Sequence, residues 1–236
     1  RFQPQSYIFV SNWWRRAVLD DMLLMFPPSR THIVHNYVNS ELFSYEPKDD
    51  AQRFKLLWIR SAASRNYGSD IAIDILNRLS ESDYWSKAEV LIIGDGLHFP
   101  QFERELGHFP NVRIEQRFAT QEEIAALHKE YGVFLVPTRL DSQGVSRDEA
   151  RSSGLVAVTN LVAATPEFID AETGIVAGPE SADQLARGIL EIWKDPQLFQ
   201  KISKAGAQRV RQQTKLEMTV GREMALIGLT EATNVG

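Results

Sequence analysis

The amino-acid sequence predicts an α/β fold built on a doubly wound parallel sheet. Short runs of apolar and β-branched residues alternate along the chain with segments of helical length. Strands that alternate with such helices imply parallel strands joined by crossover helices, which cover both faces of the sheet. With 236 residues, of which 43% are hydrophobic, the chain can bury one large core or two small ones.

The first two predicted strands flank a predicted helix. The strands are YIFV at 7–10 and THIVHN at 31–36, and the helix is NWWRRAVLDDMLLM, which follows the N-cap residue Ser11 and ends before two prolines. We interpret Trp13 and Trp14 as core and rim of this helix rather than as an aromatic platform for a bound molecule, because adjacent helical positions face different ways. The polar stretch that follows the second strand predicts a connecting loop.

Residues 54–194 predict one doubly wound domain of regularly alternating elements. Its predicted strands are KLLWIR at 55–60, EVLIIG at 89–94, VRIEQ at 112–116, VFLVP at 133–137, VAVT at 156–159 and GIVAG at 174–178. Its predicted helices are 68–80, 98–107, 120–131, 145–153, a short turn near 165–170, and 181–194. Two further helices near 196–213 and 215–228 are predicted to end the chain without another strand.

Composition narrows the possible functions. The chain has no cysteine, which excludes disulfides and thiolate metal sites. A net charge of -5 gives no basic field that would capture nucleic acid, and no apolar run approaches the length of a transmembrane segment. The five histidines do not cluster at metal-ligand spacing. The opening RFQPQS has neither an initiator Met nor a signal pattern, so we expect a piece of a longer polypeptide.

Two acids and a helix start follow the strand VFLVP. Asp141 lies in the loop, Glu149 lies on the next helix, and that helix begins near Gly144 and Val145. Ligands of open α/β sheets bind beyond the carboxyl ends of the strands, and the free amides of a helix N-terminus suit phosphate or sugar oxygens. The plainer alternatives are a loop-capping role for Asp141 and a solvated surface acid for Glu149.

Two arginines follow another strand of the same sheet. Arg60 ends KLLWIR, and Arg65 lies in the loop five residues later. A guanidinium offers a planar fork for two hydrogen bonds, which suits a diphosphate. The alternative is that both are ordinary surface arginines paired with nearby acids.

The loop and helix that follow VFLVP resemble a signature of retaining glycosyltransferases of the GT-B fold, family 4. In that family an E-G-F-G loop precedes a helix with a second Glu eight positions after the first. Asp141, Ser142, Gln143, Gly144 and Glu149 fill those positions here, with Asp in place of the first Glu.

The resemblance extends over most of the chain. HIVHNYVNSELF is similar to the family segment I-P-N-G-V-D-x-x-x-F, and VLIIGDG to a V-G-x-G strand end. LLWIRSAASRNYGSD is similar to the V-G-R-L strand and its following K-G, since Arg60 and Arg65 keep the five-residue separation. TPEFIDAETGIVAGPESADQLARGI is similar to the closing P-E-x-I, strand and helix segment.

The resemblance implies a role for each site residue. Arg60 and Arg65 would grip the nucleotide diphosphate and neutralise the leaving group, and Asp141 would contact the transferred sugar. Glu149 would accept hydrogen bonds from the ribose hydroxyls. The backbone amides of the loop would contact the sugar or the distal phosphate; these are the amides of Ser142, Gln143, Gly144 and Val145. The nucleotide base would be flanked by Gly94, Arg117 and Phe118. The sequence has no Asp-x-Asp, so no metal is implied.

The implied substrate is a UDP- or GDP-linked sugar, with no separate cofactor. Residues 1–30 would be the tail of an N-terminal domain and linker, 31–195 a Rossmann-like nucleotide-sugar-binding domain, and 196–236 C-terminal helices. The saccharide or lipid-linked acceptor would be bound mainly by an N-terminal domain that is mostly absent from this chain. We therefore expect the chain to bind nucleotide sugar and to transfer little or nothing by itself.

The resemblance also implies a setting in glycan or polysaccharide biosynthesis. The expected location is the cytoplasm, with the full-length protein free or peripheral at the inner face of a membrane. Two alternatives stay open at this point. One is half of a GT-B epimerase or phosphorylase, and the other is a non-catalytic docking or regulatory module.

Overall fold

The computed structural model describes residues 4–22 and 26–228. The strands of these ranges are β1 (Tyr7–Phe9), β2 (Thr31–Ile33), β3 (Lys55–Ser61), β4 (Glu89–Asp95), β5 (Val112–Gln116), β6 (Val133–Leu135), β7 (Val156–Asn160) and β8 (Ile175–Ala177). The α-helices are α1 (Asn12–Met22), α2 (Ser69–Ser80), α3 (Pro100–Leu106), α4 (Gln121–Glu130), α5 (Val145–Ser152), α6 (Ala182–Lys194), α7 (Pro196–Gln213) and α8 (Val220–Leu226).

Six parallel strands form the main sheet, in the order β5-β4-β3-β6-β7-β8. The chain starts in the middle at β3, moves outward to β5, returns to β6 on the other side of β3, and moves outward again to β8. The order therefore reverses between β3 and β6. This confirms the predicted doubly wound α/β fold, and the reversal marks the crevice where such sheets bind ligands.

Alternate residues of the central strands supply two separate cores. Leu56 and Trp58 of β3 face the core that α2, α3 and α6 cover. Leu57 of the same strand faces the core on the opposite side, where Ala150 of α5 and Leu127 of α4 pack. Side chains of a strand point alternately to its two faces, so an uninterrupted apolar strand is buried between two helical layers.

The N-terminal residues form a small unit of their own. The strands β1 and β2 pair in parallel, and α1 connects them. The predicted boundary at residue 31 places THIVHN in the Rossmann-like domain, whereas β2 pairs with β1 and not with the six-stranded sheet. The division into domains stays a prediction.

Most differences between predicted and observed elements lie at their ends. The first helix was predicted through Met25, and its residues 23–25 lie outside the described residues. The strand predicted to reach Pro137 ends at Leu135, because proline has no amide for the ladder. The last predicted helix is a 3-10 turn (Leu216–Met218) followed by the short α8. Across residues 4–22 and 26–228, the structure contains no helix that is both long and apolar enough to cross a membrane.

Candidate functional site

A cleft lies where the carboxyl ends of β3 and β6 meet. Its volume is about 320 Å³. The lining side chains come from the loop after β3, the loop after β6 and helix α1: Arg60, Ser64, Asn66, Tyr67, Leu140, Asp141, Ser142 and Trp14. The cleft therefore occupies the strand-order reversal, and it brings together Arg60, Asp141 and Ser142 from the sequence-based predictions.

Arg60 is fixed at the base of this cleft. Its side chain is only 7% exposed, and its Nη1 donates a hydrogen bond to the carbonyl oxygen of Pro137 at 2.9 Å. Its Nη2 lies 3.8 Å from Asp141 Oδ2, and its guanidinium carbon lies 5.0 Å from the centroid of the Tyr67 ring. Burial lowers the pKa of Arg60, while Asp141 opposes that effect. A guanidinium stays protonated in proteins, so the cleft contains a preoriented positive charge.

The two carboxylate oxygens of Asp141 have different surroundings. One carboxylate oxygen, Oδ1, accepts a hydrogen bond from the Gln143 amide at 3.1 Å, which is the loop-capping arrangement of an Asx turn. The other, Oδ2, faces Arg60. The Asp141 carbonyl also accepts the amide of Ala164 at 3.1 Å. These contacts hold the acid at the edge of the cleft.

The start of α5 supplies backbone donors beside Asp141. Gly144 is the N-cap residue and has a φ of 89°, a conformation that glycine adopts without strain. The Gln143 amide is bonded to Asp141, whereas the amides of Ser142, Gly144 and Val145 have no acceptor among the residues that the structure describes. Unpaired amides at a helix start favour an anion.

A buried ionic cluster lies beneath this loop, and sequence reasoning missed it. Asp148 accepts hydrogen bonds from Arg147 at 2.9 Å and from Arg151 at 3.3 Å, and all three residues are at most 1% exposed. Arg147 also donates to the carbonyl of Gln143, and its guanidinium lies against Gly144. The charged composition of helix α5 could have indicated this cluster. Its sequence is VSRDEARS and it follows a buried strand, so some of its charged side chains had to be buried when the helix packed on the sheet.

Glu149 projects from the same helix and is half-buried. Burial raises the pKa of its carboxyl to about 7, and neighbouring Asp148 adds to the shift. No side-chain hydrogen bond or ion pair to this carboxyl occurs within residues 4–22 and 26–228. A desolvated carboxyl without a protein partner is suited to accept hydrogen bonds from ligand hydroxyls.

Arg65 lies apart from the cleft lining. Its side chain is 72% exposed, and its Nη2 pairs with Asp70 Oδ2 at 3.1 Å. Asp70 also binds Arg139 at 2.8 Å, and Arg139 binds Glu180 at 2.6 Å. The structure thus brings Arg60 to the cleft and leaves Arg65 in a surface network.

The residues predicted to flank a base lie at the ends of two neighbouring strands, Gly94 in β4 and Arg117 and Phe118 in the loop after β5. Gly94 is inside β4, where an added Cβ would lie 2.1 Å from the Arg60 carbonyl oxygen, so glycine is required for the close approach of β3 and β4. Arg117 pairs with Glu115 at 2.7 Å and with Glu123 at 2.6 Å. Phe118 is 81% exposed in the loop after β5 and offers an open ring.

Residues of the N-terminal region also reach the site. Gln143 is buried, and its side-chain oxygen accepts the Asn36 amide at 2.7 Å, so this side chain points away from the cleft. Trp14 of α1 lines the cleft directly, whereas the sequence placed Trp13 and Trp14 at the core and rim of the helix without connecting either to a site. A metal site is not evident: across the described ranges, no three His, Cys, Asp or Glu side chains are grouped as ligands.

Comparison with known proteins identifies the family. Residues 53–195, which are more than half of the chain, match the family described as "Glycosyl transferases group 1". The chain belongs to this family. A relative of this group 1 chain is an "Uncharacterized 41.2 kDa protein in cps region" of Klebsiella pneumoniae, which is 33% identical over 114 residues, or 47% of this chain and 30% of that protein.

Solved structures share the fold of this group 1 chain. A mutant of S. aureus TarM in complex with Fondaparinux, alpha-GlcNAc-glycerol and UDP has a TM-score of 0.78 at 15% identity, covering 94% of this chain and 43% of TarM. The C-terminal domain of LpcC, a glycosyl transferase group 1 family protein of Francisella tularensis, has a TM-score of 0.64 at 19% identity, covering 76% of this chain and 99% of that domain. The fold is therefore that of the C-terminal, Rossmann-like half of a GT-B glycosyltransferase. The group 1 chain spans less than half the length of TarM and of the Klebsiella relative.

Proposed function

We propose that this chain is the donor-binding half of a retaining glycosyltransferase of family 4 and binds a sugar linked to UDP or GDP. The observation that supports this most strongly is the meeting of Arg60, Asp141 and the free amides of the α5 N-terminus at one cleft. A positive charge, an acid and unpaired backbone donors are what a diphosphate attached to a polyhydroxylated ring requires.

The diphosphate would lie between Arg60 and the start of α5. Both groups are fixed before any ligand arrives, since Arg60 is bonded to Pro137 and the loop is held by Arg147. Preoriented charges stabilise a developing anion without reorganisation, which makes them effective against a departing diphosphate. Arg65 would join them only by leaving Asp70.

The nucleoside would extend from the diphosphate in the opposite direction to the sugar. Glu149 would accept hydrogen bonds from both ribose hydroxyls, because a carboxylate presents two acceptors to two neighbouring donors. The base would lie near Gly94, Arg117 and Phe118, where the exposed ring of Phe118 can stack on it. The sugar would contact Asp141, which is a shorter acid than the family's Glu.

Transfer would proceed with retention at the anomeric carbon. The bond from that carbon to the diphosphate oxygen breaks, and a bond to the acceptor oxygen forms on the same face. The acceptor hydroxyl gives its proton to the departing phosphate, so the products are a glycoside and a nucleoside diphosphate. Arg60 and the helix amides would stabilise the charge that grows on the diphosphate. No metal ion takes part in this scheme.

The acceptor is proposed to be a saccharide or a lipid-linked saccharide, in glycan or polysaccharide biosynthesis. The TarM complex contains UDP, alpha-GlcNAc-glycerol and Fondaparinux, and the Klebsiella relative is described by its cps region. Much of the acceptor site would belong to residues outside this sequence, so we expect donor binding with little or no transfer by the 236 residues alone.

Thermal melts across a panel of nucleotides test this proposal. We expect UDP or GDP, with EDTA present, to stabilise the fold, by about 2.7 kcal/mol at a ligand concentration 100 times Kd. Arg60→Ala should remove most of the shift. Arg187→Ala is the matched control, because Arg187 is 65% exposed on α6 and pairs with the surface residue Asp183. Absence of a shift with every nucleoside diphosphate would favour a docking or regulatory module instead.

A further inference from the structure

One wall of the cleft comes from outside the six-stranded sheet. Trp14 lies in the first turn of α1 and lines the cleft together with Arg60 and Asp141. The residue is 40% exposed, so much of its surface is left uncovered. A large open aromatic surface beside polar groups is a feature of ligand sites rather than of an ordinary helix surface.

The backbone that carries Trp14 is firmly held. The carboxylate of Glu167 accepts the first two amides of α1, from Asn12 at 2.9 Å and from Trp13 at 2.6 Å. The hydroxyl of Ser11 accepts the amide of Trp14 itself at 3.2 Å. Side-chain oxygens that cap a helix start fix its first turn. Trp14 is therefore presented to the cleft by a rigid backbone.

The same capping turn also holds the acid of the cleft. Glu167 belongs to the 3-10 turn Thr165–Glu167, and the preceding residue, Ala164, donates its amide to the carbonyl of Asp141 at 3.1 Å. One short turn thus anchors both the loop with Asp141 and the helix with Trp14. The spacing between the acid and the indole is set by this shared anchor.

An acid and an indole on one cleft are complementary to two sides of a pyranose ring. The hydroxyls at the edge of the ring donate hydrogen bonds to a carboxylate. The faces of the ring carry C–H groups, which are apolar and slightly positive, and these pack well on the negative face of an aromatic system. A phosphate or a ribose offers no comparable apolar face of this size.

We infer that Trp14 is a specificity-determining residue that stacks on the hexopyranose ring of the donor. The inference rests on the proposed function, because it requires the diphosphate to lie at Arg60. With the diphosphate there, the sugar extends along the cleft between Asp141 and Trp14. The indole then selects the sugar that is transferred and has no direct contact with the nucleoside.

Trp13 provides a matched control within the same helix. Its ring stacks on that of Trp14 with centroids 6.1 Å apart, yet Trp13 does not line the cleft. If Trp14 served only to pack on its neighbour, replacing either tryptophan would have the same consequence for ligand binding. A role in sugar recognition separates the two.

Isothermal titration with paired ligands tests the inference. The probes are UDP, GDP, UDP-glucose, UDP-galactose, UDP-N-acetylglucosamine and GDP-mannose, and the conjugate that the unsubstituted protein binds most tightly is carried forward. Trp14→Ala should weaken that conjugate about five- to tenfold and its parent nucleoside diphosphate less than about twofold. Trp14→Phe should bind the conjugate nearly as tightly as the unsubstituted protein does. Trp14→Leu, which keeps apolar bulk without an aromatic face, should weaken the conjugate selectively, as Trp14→Ala does.

The outcomes separate the two levels of the proposal. If the unsubstituted protein binds no nucleoside diphosphate, the proposed function fails and this inference fails with it. If it binds them but Trp14→Ala and Trp14→Leu weaken conjugate and parent equally, or neither, the inference alone is overturned. An effect of Trp13→Ala as selective as that of Trp14→Ala would also overturn it. A melt of each variant confirms that it is folded.

Discussion

Asp148 and Asp70 each join two arginines, in very different surroundings. Asp148 lies beneath the loop of Asp141 and binds Arg147 and Arg151, and it is 1% exposed. Asp70 lies beside the loop of Arg65 and binds Arg65 and Arg139, with 34% of its side chain exposed. The same set of ions thus serves as the buried support of one cleft wall and as a solvated network near the other.

The comparison teaches how each wall is preorganised. Buried charges cannot exchange their partners for water, so the loop above Asp148 has one arrangement. Exposed pairs contribute little to stability and exchange easily with solvent. Asp141 and the start of α5 are therefore rigid, whereas Arg65 can leave Asp70 to meet a ligand.

The largest expected effect is on folding stability. Asp148→Ala leaves two guanidinium groups buried without their carboxylate and should lower the free energy of unfolding by about 3–5 kcal/mol. Asp70→Ala should lower it by about 1 kcal/mol or less, since Arg65 is exposed to water and Arg139 keeps its pair with Glu180. Urea unfolding of both variants measures the difference. Equal losses would show that burial does not distinguish the two clusters.

The next effect concerns ligand affinity, and it separates the two arginines. Arg60→Ala should weaken nucleoside diphosphate binding by about 2–3 kcal/mol, because a buried charged donor to phosphate is lost. Arg65→Ala should cost less than about 0.7 kcal/mol, because its side chain must first leave Asp70. Titration calorimetry gives both values. Arg60→Lys keeps the charge and should be intermediate, and a larger loss from Arg65→Ala would reverse the assignment.

A third effect is a pH dependence that originates at Glu149. Its pKa is raised to about 7 by burial and then by Asp148, so the folded protein holds a proton that the unfolded chain has already lost above its ordinary pKa near 4.5. Stability contributed by this group therefore falls as pH rises from about 4.5 through about 7. Glu149→Gln should remove that fall, which unfolding measured at several pH values would show.

The same titration governs nucleotide affinity. Only the ionised Glu149 accepts hydrogen bonds from both ribose hydroxyls, so affinity should rise roughly tenfold between pH 6 and pH 8. Protonation of the ligand itself affects binding to Glu149→Gln in the same way, so this variant serves as the control. A pH profile that is identical in the two proteins would exclude ribose binding by this carboxyl.

The sequence predicted the order of the elements well, because hydrophobic periodicity and the residues that begin or end helices and strands are local features. Apolar runs such as that of β4 and caps such as Ser11 need no knowledge of distant residues. The meeting of Arg60 with Asp141 was also predictable, since both follow strands of one parallel sheet and the carboxyl ends of such strands share an edge.

Other parts of the site depend on tertiary contacts that no local pattern carries. Arg65 keeps its spacing from Arg60, but its side chain pairs with Asp70, which also binds Arg139 from the loop after β6. The position of Trp14 at the cleft could not be predicted, because the capping of α1 by Glu167 joins residues more than 150 positions apart in the chain. The buried arginines of α5 read as surface charges until the helix is placed on the sheet.

A structure of the protein with its preferred nucleoside diphosphate sugar tests the central claim most directly. We predict phosphate oxygens within hydrogen-bond distance, about 3 Å, of the Arg60 guanidinium and of an amide at the start of α5. The sugar should lie between Asp141 and the indole of Trp14. A ligand bound away from the junction of β3 and β6, or one whose phosphates do not contact Arg60, would contradict the account.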